Sequence, residues 1–188
     1  MLPLPRLRAA TATDAPEIVA LLAAVALEGT LGLDPSTLRA DEEAARLARL
    51  DLRTACALVV VSAGHIRGFA VAVRGAETAV VHTASVSVAV AANSRRRGFG
   101  QLLLGGVLAW ARAARVHKLC AGVVERNAPA LALFHRAGYA VEGVRRHQVT
   151  VAGALSDEVL FGLLVEPAAV AATARGRAKA RRGGRRGR

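Results

Sequence analysis

The sequence predicts an α/β (α+β) fold: a central, mostly antiparallel mixed sheet of about seven strands flanked by about four helices. Three observations carry this expectation. Stretches with apolar residues at helical spacing are separated by shorter, valine-rich runs of β character. Turns centred on glycine, such as Ala63-Gly64-His65, bring neighbouring β runs close enough for hairpins. The order reads strand, two helices, three strands, helix, strand, helix, two strands, and such mixed ordering belongs to a layered fold with helices packed on a sheet.

Following a first short strand, Asp14-Ala-Pro-Glu17 predicts a helix start. Asp14 is placed to cap, Pro16 falls in the first turn where its missing N–H is harmless, and Glu17 completes a capping-box pattern. This helix is expected to run to about Leu27 and to end near Gly29, with a second helix over 41–50. Residues 57–62 and 66–74 read as a hairpin, and 79–90 as one long strand that includes His82. Helical spacing returns over 98–115, followed by a strand over 119–124 and a helix over 128–137 with Gly138 as its C-cap. Two closing strands, over 139–149 and 158–165, flank the turn Ala152-Gly153-Ala154.

Composition narrows the classes. A chain of 188 residues suits one domain with a sizeable core, and a hydrophobic content of 53% excludes a solvating disordered protein. The long apolar stretch at 79–92 contains His82, Thr83, Ser85 and Ser87, and falls short of the roughly 20 apolar residues of a membrane span. Residues 1–8 hold two prolines and two arginines and no apolar leader core, so a cytoplasmic protein without membrane contact is expected. Cys56 and Cys120 both lie in apolar runs, which predicts buried structural thiols and neither a disulfide framework nor a metal site.

The net charge of +12 is concentrated at the C-terminus. Residues 175–188 carry eight basic side chains and no acidic one, and setting those eight aside leaves about +4 for residues 1–174. Residues 1–166 are therefore read as the folded domain, and 167–188 as a basic Arg/Gly/Ala-rich disordered tail. Without an aromatic residue the tail cannot stack on bases. Contact with RNA or the ribosome through phosphates, contact with an acidic partner, and plain solvation all remain open for it.

The stretch that carries chemistry is 88–100, Val-Ala-Val-Ala-Ala-Asn-Ser-Arg-Arg-Arg-Gly-Phe-Gly. A strand ends, basic residues and glycines make the turn, and an apolar helix begins. Unpaired N–H groups and the helix dipole make such a helix start an anion cradle. Gly98 and Gly100 would let the backbone approach a phosphate, with Arg95, Arg96 and Arg97 at the rim. The spacing matches neither a Walker A loop nor a dinucleotide fingerprint. Taken alone, a surface turn with solvated arginines explains it equally well.

Arg95-x-x-Gly98-x-Gly100, with Val90 upstream, resembles the acetyl-CoA-binding motif of the GNAT superfamily of N-acetyltransferases. The run from Asn127 to Tyr139 is similar to that family's second signature, and the resemblance spans roughly residues 7–165 in the expected order. Smaller similarities, including Asp157-Glu158 at the last strand, point toward the polyamine and amino-group acetyltransferase branch.

The resemblance implies transfer of an acetyl group from acetyl-CoA, as co-substrate, to a primary amine of a small molecule or a protein or peptide. It implies that Val88, Ala89 and Val90 hold the pantetheine arm and that the amides of Arg96, Arg97, Gly98, Phe99 and Gly100 hold the pyrophosphate, reinforced by Arg95. The arm would enter a splay between the strands ending at Val90 and beginning at Leu119. It also implies cofactor contact at Asn127, with Phe134 and Arg136 on the same helix. Phe134 stands where the family usually has a tyrosine that protonates the leaving thiolate, so water, His135 or another group must serve, or the thiolate leaves unprotonated. For the general base the sequence offers His82, whose ordinary pKa of about 6.5 is suitable, and Glu125. A surface or structural role for either stays open. So do a catalytically silent acyl-CoA-binding module, a nucleic-acid-binding scaffold, and a homodimer built on the last strands.

Overall fold

The computed structural model describes residues 4–29, 33–151 and 153–165. The basic tail, and the contacts expected of residues 175–188, lie outside them. The elements are β1 (Arg6–Ala9), α1 (Ala15–Ala26), α2 (Ala40–Ala48), β2 (Ala55–Ser62), β3 (His65–Arg74), β4 (Thr83–Val90), α3 (Phe99–Ala113), β5 (Lys118–Val124), α4 (Ala128–Arg136), β6 (Ala140–Val151) and β7 (Ala154–Leu164). They form one seven-stranded sheet in the order β1-β2-β3-β4-β5-β7-β6, antiparallel at every step except β4 beside β5.

Two apolar cores clamp the sheet. On one face Phe99, Leu103, Leu104 and Val107 of α3 and Phe134 of α4 pack on Val60, Val86, Leu119, Ala121 and Phe161. On the other, Ile18, Leu21 and Val25 of α1 and Leu47 of α2 pack on Val59, Phe69 and Ala89. Each large side chain fully removed from water stabilises the fold by about 1.5–3 kcal/mol. α1 and α2 cover only the half of the sheet that holds β2 to β4. This leaves the same face of β5, β7 and β6 open, with Leu164 at 76% exposure.

Three expectations need correction. The region at 79–90 is not one strand: a 3-10 turn at Thr78–Val80 precedes β4, which begins at Thr83, so His82 sits in the connection. Its carbonyl accepts from the His117 and Lys118 amides, which spends the residue on joining β4 to β5. Second, Asp14 does not cap α1. Its carboxylate turns back to accept from the Thr11 amide at 2.8 Å and the Thr11 hydroxyl at 2.9 Å, closing a 3-10 turn over Ala12–Asp14. Third, Glu17 completes no capping box, because its Oε1 accepts from the Ile66 amide at 2.9 Å and so ties α1 to the start of β3. The hairpin between β2 and β3 forms as expected, its turn made by Ala63 and Gly64 with φ of 52° and 79°.

Asp14 also receives both terminal nitrogens of Arg8 from β1, at 2.6 and 2.8 Å. The Arg8 guanidinium, helped by the Thr11 donors, holds the Asp14 carboxyl well below the ordinary carboxylate range. A carboxyl depressed on folding contributes stability that is present above its unfolded pKa and lost as pH falls toward the folded value. Asp14→Asn is therefore expected to destabilise the protein at neutral pH by about 1–3 kcal/mol, since it leaves Arg8 and Thr11 under-satisfied. Thermal unfolding from pH 7 down to pH 3 should show the deficit shrinking with acid.

Candidate active site

The site begins with a defect in the sheet. β4 and β5 pair only at Thr83↔Lys118, Ala84↔Leu119 and Ser85↔Cys120. Beyond these the strands part, although β4 stays paired to β3 as far as Val90 and β5 to β7 as far as Val124. The Thr83 carbonyl accepts from Gly75 and the Ala91 amide donates to Arg67, so odd-numbered residues of β4 turn their peptide groups toward β3. By strand alternation Val86, Val88 and Val90 turn theirs into the gap. Ala89, expected to share the cofactor contact, lies opposite Phe69 with its peptide group turned toward β3, and it lines the cavity.

At the end of the gap the chain curls into α3. Arg96 and Gly98 adopt left-handed backbone, with φ of 60° and 82°. Among the described residues the amides of Arg96, Arg97 and Gly98 find no backbone acceptor, and those of the first turn of α3 are free by helix geometry. The two glycines have different reasons. Gly98 is needed for its positive φ, and a Cβ there would meet nothing within 4 Å. Gly100 is needed for packing, because a Cβ would lie 2.8 Å from Leu133 Cδ2 of α4. Arg95 does not project outward. Its Nε donates to the Val90 carbonyl at 3.1 Å and its terminal nitrogens grip Glu28, just past α1, at 2.7 and 2.8 Å.

A cavity of about 410 Å³ occupies the gap and passes through the sheet. Its α3/α4 side is lined by Val86, Val88, Val123, Asn127, Ala130 and Phe134. Residues paired across a ladder share a face, so Phe69 and Val71 of β3, Ser87 and Ala89 of β4, and Glu158 of β7 line the other side. Leu22 and Val149 join them there. Asn127 caps α4, its Oδ1 accepting from the Ala130 amide at 3.2 Å. Phe134 is buried, edge-on to Tyr139 at 5.0 Å between ring centres and stacked on Phe161 at 5.6 Å.

The acetyltransferase (GNAT) family is matched over residues 27–139, more than half of the chain. This chain belongs to that family. Solved structures agree. An acetyltransferase of the GNAT family from Streptococcus pneumoniae is 26% identical with a TM-score of 0.79, over 87% of this chain and 100% of that one. Ribosomal-protein-alanine N-acetyltransferase from Brucella melitensis is 27% identical with a TM-score of 0.76, over 85% and 99%. In fold the chain also matches yncA of Salmonella typhimurium, solved with its cofactor acetyl-CoA, at 22% identity and a TM-score of 0.80 over 87% and 95%. Among curated proteins none matches the sequence. The protein is an acyl-CoA-dependent N-acetyltransferase, and acetyl-CoA is its co-substrate.

In this acetyltransferase Val88, Ala89, Asn127 and Phe134 of the cofactor-side candidates line the cavity, while Val90 and the loop 95–100 continue the chain beyond Val88 and are not among the lining residues. Arg136, exposed at the end of α4, is not among the lining residues. Neither proposed base lines the cavity. His82 stands at the opposite end of β4, and the exposed Glu125 follows β5, with its amide donating to the Asp157 carbonyl. The carboxylate that does line it is Glu158, which the sequence showed only as a small family similarity. Nothing local marked it, because Gly122 on β5 makes its room: a Cβ there would sit 2.1 Å from Glu158 Oε1.

The chain's one tyrosine is no substitute for the missing hydroxyl at Phe134. Tyr139 is buried, its hydroxyl has no hydrogen-bond partner, and burial pushes its pKa up. Cys56 is buried as expected, and burial pushes its thiol up to about 11, whereas Cys120 is only partly buried, with burial raising its pKa as well. Tyr139→Phe is expected to leave turnover within about twofold and to raise stability by up to about 1 kcal/mol, since it deletes an unsatisfied buried hydroxyl. Thiol-release kinetics and thermal unfolding of the variant check both halves of that statement.

Proposed function

We propose that this acetyltransferase moves the acetyl group of acetyl-CoA onto a primary amine of a small molecule, peptide or protein, by direct attack while both are bound. The observation that carries this reading is the cavity that crosses the sheet where β4 and β5 part. It gives two ligands access to one point from opposite faces, which is what a direct transfer needs.

The chain's residues fit the co-substrate. Gap-facing peptide groups of Val86 and Val88 and the Val90 amide suit an extended, amide-bearing arm laid alongside β4 like an added strand. The free amides from Arg96 to the first turn of α3, at the positive end of the helix, suit the pyrophosphate. Arg95 braces that loop against Glu28, and Asn127 and Phe134 wall the arm on the α4 side. Acetyl-CoA supplies an acetyl group activated as a thioester. An amide of β4 aimed into the gap is suited to donate to the acyl oxygen as negative charge develops there. With Phe134 lacking a hydroxyl, the lining offers no phenol for the departing sulfur. The likeness to the Brucella ribosomal-protein-alanine enzyme supports keeping a protein N-terminal amino group among the acceptors.

Calorimetric titration of acetyl-CoA into the wild-type chain and Gly98→Trp tests the reading. Micromolar binding is expected for the wild type and a loss of at least about tenfold in the variant, whose side chain would fill the open space beside the loop. Thermal unfolding must show that the variant still folds. Thiol release with any amine then separates an enzyme from a silent acyl-CoA-binding module, and absence of binding in the wild type would refute the assignment.

A further inference from the structure

The acceptor side of the cavity has a definite chemistry. Leu22 from α1, Leu33 from the segment after it, Phe69 and Val71 from β3, and Val149 from β6 surround it with hydrocarbon. Ser87 adds one hydroxyl. Among the described lining residues Glu158 is the only ionisable group. Its side chain is 19% exposed, lies flat against the bare backbone of Gly122, and has Arg145 of β6 at 3.3 Å on its outer side. Three acidic residues of the α1–α2 segment do not add to it. Glu28 holds Arg95, Asp34 caps a 3-10 turn through the Ser36 amide, and Asp41 lies on the first turn of α2, outside the cavity.

Resting on the transferase reading above, we infer that the acceptor is a monoamine attached to a compact apolar body, and that Glu158 receives its ammonium and takes its proton. A polyamine needs a second carboxylate for each further cationic nitrogen, because an unpaired charge against Phe69, Val71 and Leu22 loses its hydration without compensation. A single carboxylate at the end of an apolar chamber instead fixes one ammonium and leaves hydrocarbon to make the remaining contacts.

The step balances on groups already named. The ammonium gives one proton to the Glu158 carboxylate, and the freed nitrogen forms the new C–N bond to the acetyl carbon. The C–S bond breaks, the sulfur leaves as thiol with the second proton lost by the nitrogen, and Glu158 returns its proton to solvent. Ser87, on the same face of β4, is placed to pass that second proton. Gly122 is a positioning residue in this scheme, since any side chain there displaces the carboxylate.

The test compares kcat/KM of the full chain for phenethylamine, isoamylamine, leucinamide and spermidine, using thiol release, for wild type, Glu158→Gln and Val149→Glu. Acetyl-CoA affinity of each is measured by calorimetry. The expected result is at least about a tenfold preference for the apolar monoamines over spermidine in the wild type. Glu158→Gln should lose about 100-fold or more in kcat with acetyl-CoA affinity unchanged, the range typical of general-base removal. Val149→Glu, which adds a carboxylate to a half-buried wall, should shift selectivity toward spermidine. Preference for leucinamide over the two free amines would identify an amino-terminal residue as the natural source of the same chemistry. Spermidine preferred by the wild type, or Glu158→Gln retaining turnover, would overturn the inference while leaving the transferase intact. A wild type that fails to bind acetyl-CoA would overturn both.

Discussion

β4 and β5 are hydrogen-bonded over three residue pairs and then separate, while each continues on its outer edge as an ordinary strand. An open seam inside a sheet leaves peptide groups facing a cavity. Buried backbone donors and acceptors are rarely left without partners. The seam therefore leaves backbone groups of β4 open to a further partner. The outer ladders hold it open. β3 binds β4 as far as Val90 and β7 binds β5 as far as Val124, so neither strand can swing across without breaking its other partnership.

Several remote contacts serve this seam. Gly100 lets α4 come close enough for Leu133 to pack on the start of α3, which sets the depth of the loop that ends β4. Arg95 joins that loop to Glu28 beyond α1 and so ties the start of α3 to the other face of the sheet. Gly122 clears the floor on which Glu158 rests. Phe134 wedges between the aromatic rings of Tyr139 and Phe161 and forms one wall. Three of these contacts depend on a glycine or an aromatic ring, and the fourth is an ion pair between two connecting segments.

The two sides of the cavity differ in what they present. Toward α3 the polar groups are backbone amides of β4 and of the loop before the helix, whatever side chains surround them. On the α1/α2 side the described lining is hydrocarbon with one hydroxyl and one carboxylate. The first arrangement suits a co-substrate that all members of a family share, and the second suits an acceptor particular to one member.

The sequence by itself determined the class and order of the elements, because helical and strand periodicities are local and strong over α1, α3, β2 and β3. It also marked the loop from Arg95 to Gly100, whose chemistry sits in consecutive residues. It misled where local pattern competed with tertiary demand. The valine-rich run through His82 reads as one strand, yet a turn before Thr83 is needed to bring the His82 carbonyl to β5. Asp14 and Glu17 match a capping box, yet Arg8 and the Ile66 amide claim their carboxylates. Only the tertiary structure decided that the base candidates at His82 and Glu125 stand outside the cavity and that Glu158 lines it. Its place is set by register, Glu158 opposite Val124 and over Gly122, across strands joined through a helix and a hairpin. Pairing between distant strands leaves no trace in the neighbours of either residue, whereas a loop that binds through its own successive amides carries its signal in the residues themselves.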